Sequence, residues 1–91
     1  MSLSKQDAIE KAQKDLAKRL NLDSGSIKEK SVEEVDFPDT ALGAATNDEM
    51  SGQMLTRGWR IKLQSEGKTY EYRADKNQVR LYGFKGKNFL V

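Results

Sequence analysis

The chain contains no cysteine and no histidine. Without cysteine there is no disulfide, no thiol nucleophile and no thiolate metal site within it. Without histidine it lacks the usual general base near neutral pH and the commonest transition-metal ligand. Neither a Ser-His-Asp triad nor a zinc site can therefore be assembled from this chain alone. Long apolar runs are missing too. No stretch approaches the roughly 20 residues of a membrane-spanning helix, and no apolar signal-peptide core is present. Met1-Ser2-Leu3 reads as a translation start or a cloning remnant, which leaves room for an export signal upstream. The absence of cysteine suits a reducing cytosol and a small exported domain equally.

The 91 residues make one small domain, 1–91. Hydrophobic residues make up 36% and charged residues 33%. A folded chain of this size buries roughly 60–70% of its unfolded surface, so one thin core is feasible. Seven aromatics and nine leucines can fill it, which argues against disorder. The net charge of +2 is too small to signal nucleic-acid binding. Its distribution is uneven: residues 1–40 carry −2, residues 41–57 carry −1 and residues 58–91 carry +5. An acidic-leaning front and a basic back attract one another within a compact domain.

Ser4 followed by Lys5-Gln6-Asp7 is an approximate capping box. Ala8, Ile9, Ala12, Leu16, Ala17 and Leu20 then recur at helical spacing, with Lys11, Lys14, Asp15 and Lys18 largely opposite. The pattern predicts a helix over about 5–20, ended by Asn21 and Asp23-Ser24-Gly25. Residues 27–37 read as a strand in which Ile27, Val35 and Phe37 share one parity and Val32 has the other, reconciled by a bulge between Val32 and Val35. Phe37-Pro38-Asp39 ends it.

Residues 38–57 form a long loop without a consistent period, anchored by Leu42, Met50, Met54 and Leu55, with a short helical turn near Asn47 to Met54. Its first half is expected to dock through Leu42, and its small, polar tip at about 45–52 to be held loosely. A meander follows over about 58–82: Trp59, Ile61 and Leu63, then Tyr70, Tyr72 and Ala74, then Val79 and Leu81 alternate with polar neighbours. The tail 83–91 adds an edge strand or frays. The expected fold is α+β, with the helix laid on one face of an antiparallel sheet of about four strands.

The stretch from Val35 to Tyr82 resembles a group of small bacterial domains, frequent in exported proteins and lipoproteins, that have no assigned function. The matching segments are Phe37-Pro38-Asp39-Thr40-Ala41-Leu42-Gly43, Gly58-Trp59-Arg60-Ile61-Lys62-Leu63, Gly67-Lys68-Thr69-Tyr70-Glu71-Tyr72-Arg73 and Val79-Arg80-Leu81. They cover roughly half the chain. The resemblance implies an exported location. Relatives often carry a cysteine after the Leu-Gly pair and another at the end of the last strand, whereas this chain has Ala44 and Tyr82 there. The helix-then-hairpin plan is also similar to PepSY-type domains, thought to modulate peptidases.

Glu33, Glu34, Asp36 and Asp39 form the densest carboxylate group, but strand alternation separates neighbours and the calcium-loop spacing is absent. No metal site, cofactor or catalytic residue is expected. Asp39, Leu42, Gly43, Asp48 and Met50 form a candidate partner-contact loop. The first three also suit one turn: Asp39 capping, Leu42 plugging the core edge, Gly43 left-handed. Arg60, Lys62, Arg73 and Arg80, with Tyr82, form a candidate polyanion face. The aromatic signature of sheet-binding RNA modules is missing, which disfavours a nucleic-acid partner. The favoured reading is a non-enzymatic domain that binds or modulates another protein or peptide, PepSY-like or peptidase-inhibitor-like. Polyanion binding is the alternative, and a small enzyme is a third.

Overall fold

The computed structural model describes residues 2–47 and 49–91. Helix α1, Lys5–Leu20, begins where the sequence places it, for a local reason. The Ser4 hydroxyl accepts the Asp7 amide at 3.1 Å, and the Asp7 carboxylate accepts the Ser4 amide at 3.0 Å. Two otherwise orphaned N–H groups are thereby satisfied. Asn21 ends the helix at φ 57, and Leu22 closes the last turn by donating to Ala17 at 2.8 Å.

A single 3-10 turn, Ser24–Ser26, leads into strand β1, Lys28–Phe37. Then follow β2, Thr56–Ser65; β3, Lys68–Ala74; β4, Val79–Phe84; and β5, Lys87–Leu90. Each pairs antiparallel with the next, giving the order β1-β2-β3-β4-β5. The fold is α+β, one helix on an antiparallel sheet of five strands among the described residues rather than about four. The tail supplies the extra strand. Gly83, at φ 66, and the register shift between Leu81 and Phe84 turn β4 so that Phe84 joins Leu81 in packing toward the helix.

Ala8, Ile9, Ala12, Leu16 and Ala17 of α1 meet Ile61, Leu63, Tyr72, Ala74, Val79 and Leu81 of the sheet. Within this core the Tyr72 hydroxyl donates to Asp15 at 2.7 Å, and Arg19 Nε donates to the same oxygen at 2.7 Å. Burial, reinforced by the Asp15 charge, pushes the Tyr72 phenol well above its ordinary range.

Two expectations about β1 and the loop are corrected. The β1 irregularity falls between Glu29 and Ser31, not between Val32 and Val35. Val32 pairs with Ile61 and packs with Ile27 on the helix side. Phe37, outside that core, is buried against the opposite face, as alternation from Val32 requires. Both faces of the sheet therefore bury apolar groups. In addition, residues 47–54 form no helical turn among those described.

Candidate functional site

The second face of the sheet is built around a row of arginines. Arg60, Arg73 and Arg80 stand directly opposite one another on β2, β3 and β4. Like charges in such positions repel unless carboxylates intervene. Glu71 accepts from Arg73 at 2.7 Å and lies 3.3 Å from Arg60, whose Nη1 is 3.6 Å from Glu33. Arg80 Nη1 and Nη2 each donate to one oxygen of Glu49, a forked pair.

The segment between β1 and β2 is strapped over this row. At its entrance Asp39 Oδ1 accepts the amides of Ala41 and Gly43, each at 2.9 Å. This Asx-type turn stands Leu42 at φ 60 and Gly43 at φ 66, and it buries Leu42 completely. Strap carbonyls then accept from sheet side chains in succession: Thr40 from Gln78 at 2.8 Å, Leu42 and Gly43 from Arg73 at 3.1 and 3.2 Å, Ala44 from Arg80 at 3.3 Å and Ala45 from Asn88 at 2.9 Å. Side chains here do what a neighbouring strand does elsewhere, satisfying main-chain acceptors.

Of the face expected to be open and basic, Arg73 and Arg80 are therefore covered, and Arg60, still partly exposed, is neutralised in place. Arg80 is 4% exposed, Arg73 is stacked on Tyr82 at 3.7 Å, and Arg60 is shared by two glutamates. Lys62 has no ion-pair partner among the described residues. Segment 45–52, expected to be loosely held, is tied at Ala45, at Glu49 and at Gly52, whose amide donates to Thr40 Oγ1 at 2.8 Å. Of the partner-contact candidates, Asp39, Leu42 and Gly43 face inward as the turn, Met50 points out, and Asp48 lies outside the described residues.

The hydrogen bonds from Arg80 and from the Thr46 amide hold the Glu49 carboxyl down from 4.5 to about 2. A carboxyl with a depressed docked-state pKa favours docking fully above about 4.5 and progressively less as pH falls toward 2. Carbon-detected NMR titration of Glu49 should give a midpoint near 2. A midpoint near 4.5 would show that the fork to Arg80 is not formed in solution.

Three of the four expected loop anchors do not anchor. Met50 is 97%, Met54 65% and Leu55 72% exposed, while Leu42 alone is buried. Met54 and Leu55 border a groove of about 490 Å³ whose apolar wall is completed by half-buried Trp59 and whose rim carries Arg57, Lys76 and Asn77. Arg57 is engaged by Asp36 at 2.7 Å and by Glu34 at 3.2 Å. Met54 and Leu55, expected from the sequence as anchors of the loop, are outside the expected contact set of Asp39, Leu42, Gly43, Asp48 and Met50. The only signal for Met54 and Leu55 in the sequence is apolar character next to Gly52 and Gln53 without a periodic partner.

Among the described residues no three metal-ligating side chains converge, and no helix is long and apolar enough to cross a membrane. The architecture is that of a small α+β domain whose antiparallel meander carries a helix on one face and a side-chain-clamped strap on the other. The chain belongs to the DUF8738 family, described as a domain of unknown function, whose model matches residues 9–82. No curated protein and no solved structure matches it.

Proposed function

We propose that the chain is a non-enzymatic protein-binding domain whose contact surface is the Met50–Leu55 end of the strap together with the Trp59 groove. The observation that carries this reading is the exposure of Met50, Met54 and Leu55 at 97%, 65% and 72% within six residues. Isolated exposed apolar residues need no explanation, but an adjacent exposed pair, Met54 and Leu55, bordering an apolar groove supports a contact site, with Met50 nearby in the chain. Methionines suit it, because their unbranched side chains repack against varied surfaces. The fixed strap beneath limits the ordering cost of association. With no histidine or cysteine in the chain, nucleophilic and general-base chemistry has few bearers, which favours binding over catalysis. A role in modulating a peptidase, by analogy with the PepSY-like plan, is one form of this reading.

A photo-crosslinking residue at Met54 in the native host, with one at Lys14 on the exposed helix face as control, supplies the test. The adduct partner is identified, purified and titrated against the chain and against the triple variant Met50→Ser, Met54→Ser, Leu55→Ser. Loss of at least about tenfold in affinity with the fold intact is expected. Equal affinity of the triple variant, or the same adducts from Lys14 as from Met54, would defeat the proposal.

A further inference from the structure

The ladder between β3 and β4 stops early. Glu71 pairs with Tyr82, and Lys68, Thr69 and Tyr70 have no partner on β4. Beyond that last pair, Gly83 at φ 66 bends β4 away, opening a cleft of about 440 Å³ between the diverging strands. Its floor is aromatic: the Tyr70 and Phe84 rings lie 6.0 Å apart at 41°, with Leu20 from the end of α1 beside them. Tyr82, 40% exposed, forms the wall, and the stacking of Arg73 against its ring at 3.7 Å helps keep it in place. Lys68 and Lys85 line the mouth, both exposed and neither ion-paired among the described residues. Lys85, at φ 53 in the β4–β5 turn, carries its ammonium 5.4 Å from the centre of the Phe84 ring. The one acid in the lining, Glu71, is already engaged by Arg73 at 2.7 Å and Arg60 at 3.3 Å.

We propose that this cleft binds a small carboxylic acid with an aromatic or branched apolar body. The two halves of the site call for the two halves of such a ligand. A bare anion would gain little from exposed lysines in water and would leave the aromatic floor wet. A neutral apolar molecule would cover the floor but draw nothing from the two ammonium groups at the mouth. An apolar body seated on Tyr70 and Phe84 carries its carboxylate under Lys85, where partial desolvation strengthens the ion pair. The volume suits a small ligand. The Glu71–Tyr82 pair closes the inner end, so the cleft suits a single compact molecule rather than a continuing chain. This site stands apart from the Met54 groove and is independent of the protein-binding proposal.

The test is an amide-detected NMR titration of the full chain with phenylacetate, phenylacetamide and the peptide N-acetyl-Gly-Gly-Phe. Saturable shifts with phenylacetate confined to Lys68–Glu71 and Tyr82–Lys85 are expected, with phenylacetamide at least about tenfold weaker. The exposed-site double variant Lys68→Gln, Lys85→Gln should lose about tenfold for phenylacetate and leave phenylacetamide unchanged. The assignment is overturned by absent or non-saturable shifts, by shifts centred elsewhere, or by equal binding of acid and amide. It is overturned as well if the peptide binds more tightly than phenylacetate, because the cleft would then be a receptor for a chain terminus.

Discussion

Gly58→Ala should lower the unfolding free energy by about 3 kcal/mol, at the upper end of what overpacking costs. The usual expectation runs the other way, since replacing glycine at an ordinary backbone conformation stabilises by restricting the unfolded chain. Gly58 lies in β2 without a positive φ, so backbone conformation alone would accept alanine. Space does not. An added Cβ would stand 2.2 Å from the Ala74 carbonyl oxygen and 3.1 Å from Phe37 Cε2. The oxygen cannot retreat cheaply, because Ala74 is paired with Trp59 on one side and Val79 on the other. Phe37 is 1% exposed, with the Arg73 guanidinium 5.6 Å from the centre of its ring, so a close-packed interior gives it little room to yield. Urea denaturation followed by Trp59 fluorescence should show a lower midpoint with an unchanged slope. Gly25→Ala, where an added Cβ meets nothing within 4 Å, is the matched control and should change stability by less than about 0.5 kcal/mol. Equal stability of the two variants would mean that β2 and β3 are not in the register described.

The same residues show how far a single sequence can be read. The helix was legible because its start and its face are both local signals, Ser4 with Asp7 and the Ala8-to-Leu16 stripe. The β2, β3 and β4 strands were legible because alternation survives in each, from Trp59 to Leu63, Tyr70 to Ala74 and Val79 to Leu81. Bulges blurred the rest. One extra residue between Glu29 and Ser31 changes which face Ile27 shares with Val32, and the Gly83 shift hides the strand into which the tail folds. The strap was illegible for a different reason. Its bonds join carbonyls of residues 40–45 to Arg73, Gln78, Arg80 and Asn88, which stand about thirty to forty residues further along the chain, and carbonyls carry no sequence identity. Outward-pointing arginines on an alternating strand look the same whether water or another segment covers them. The charge asymmetry gave a partial clue, since Glu33 and Glu49 from the acidic front do meet Arg60 and Arg80 from the basic back. Net charge by segment does not say which acid meets which base.

Arg80→Ala should release the strap and cost about 3 kcal/mol, the lower end of the loss when one member of a buried ion pair is removed. Arg80 is nearly inaccessible, and its guanidinium group serves four acceptors: two Glu49 oxygens, the Ala44 carbonyl and Gln78 Oε1. Truncation leaves the Ala44 carbonyl and Gln78 without that donor and leaves a void between sheet and strap. Glu49 is partly accessible and recovers some hydration, and Arg73 loses a like-charged neighbour, which is why the full buried-pair penalty is not expected. Glu49→Gln should cost less, because the amide oxygen can still accept from one arm of the fork. In native-state hydrogen exchange, the amides of Leu42 and Ala44 should speed up in Arg80→Ala, while those of Ile61 and Tyr72 change only as far as global stability does. Because Met50 adjoins Glu49, the same variant should weaken any partner contact made through Met50, Met54 and Leu55 without altering those side chains. That makes Arg80 a positioning residue, not a contact residue. Unchanged exchange across residues 40–45, together with a stability loss below about 0.5 kcal/mol, would show that Arg80 contributes nothing and that buried Leu42 with the bonds from Arg73, Gln78 and Asn88 suffices to hold the strap.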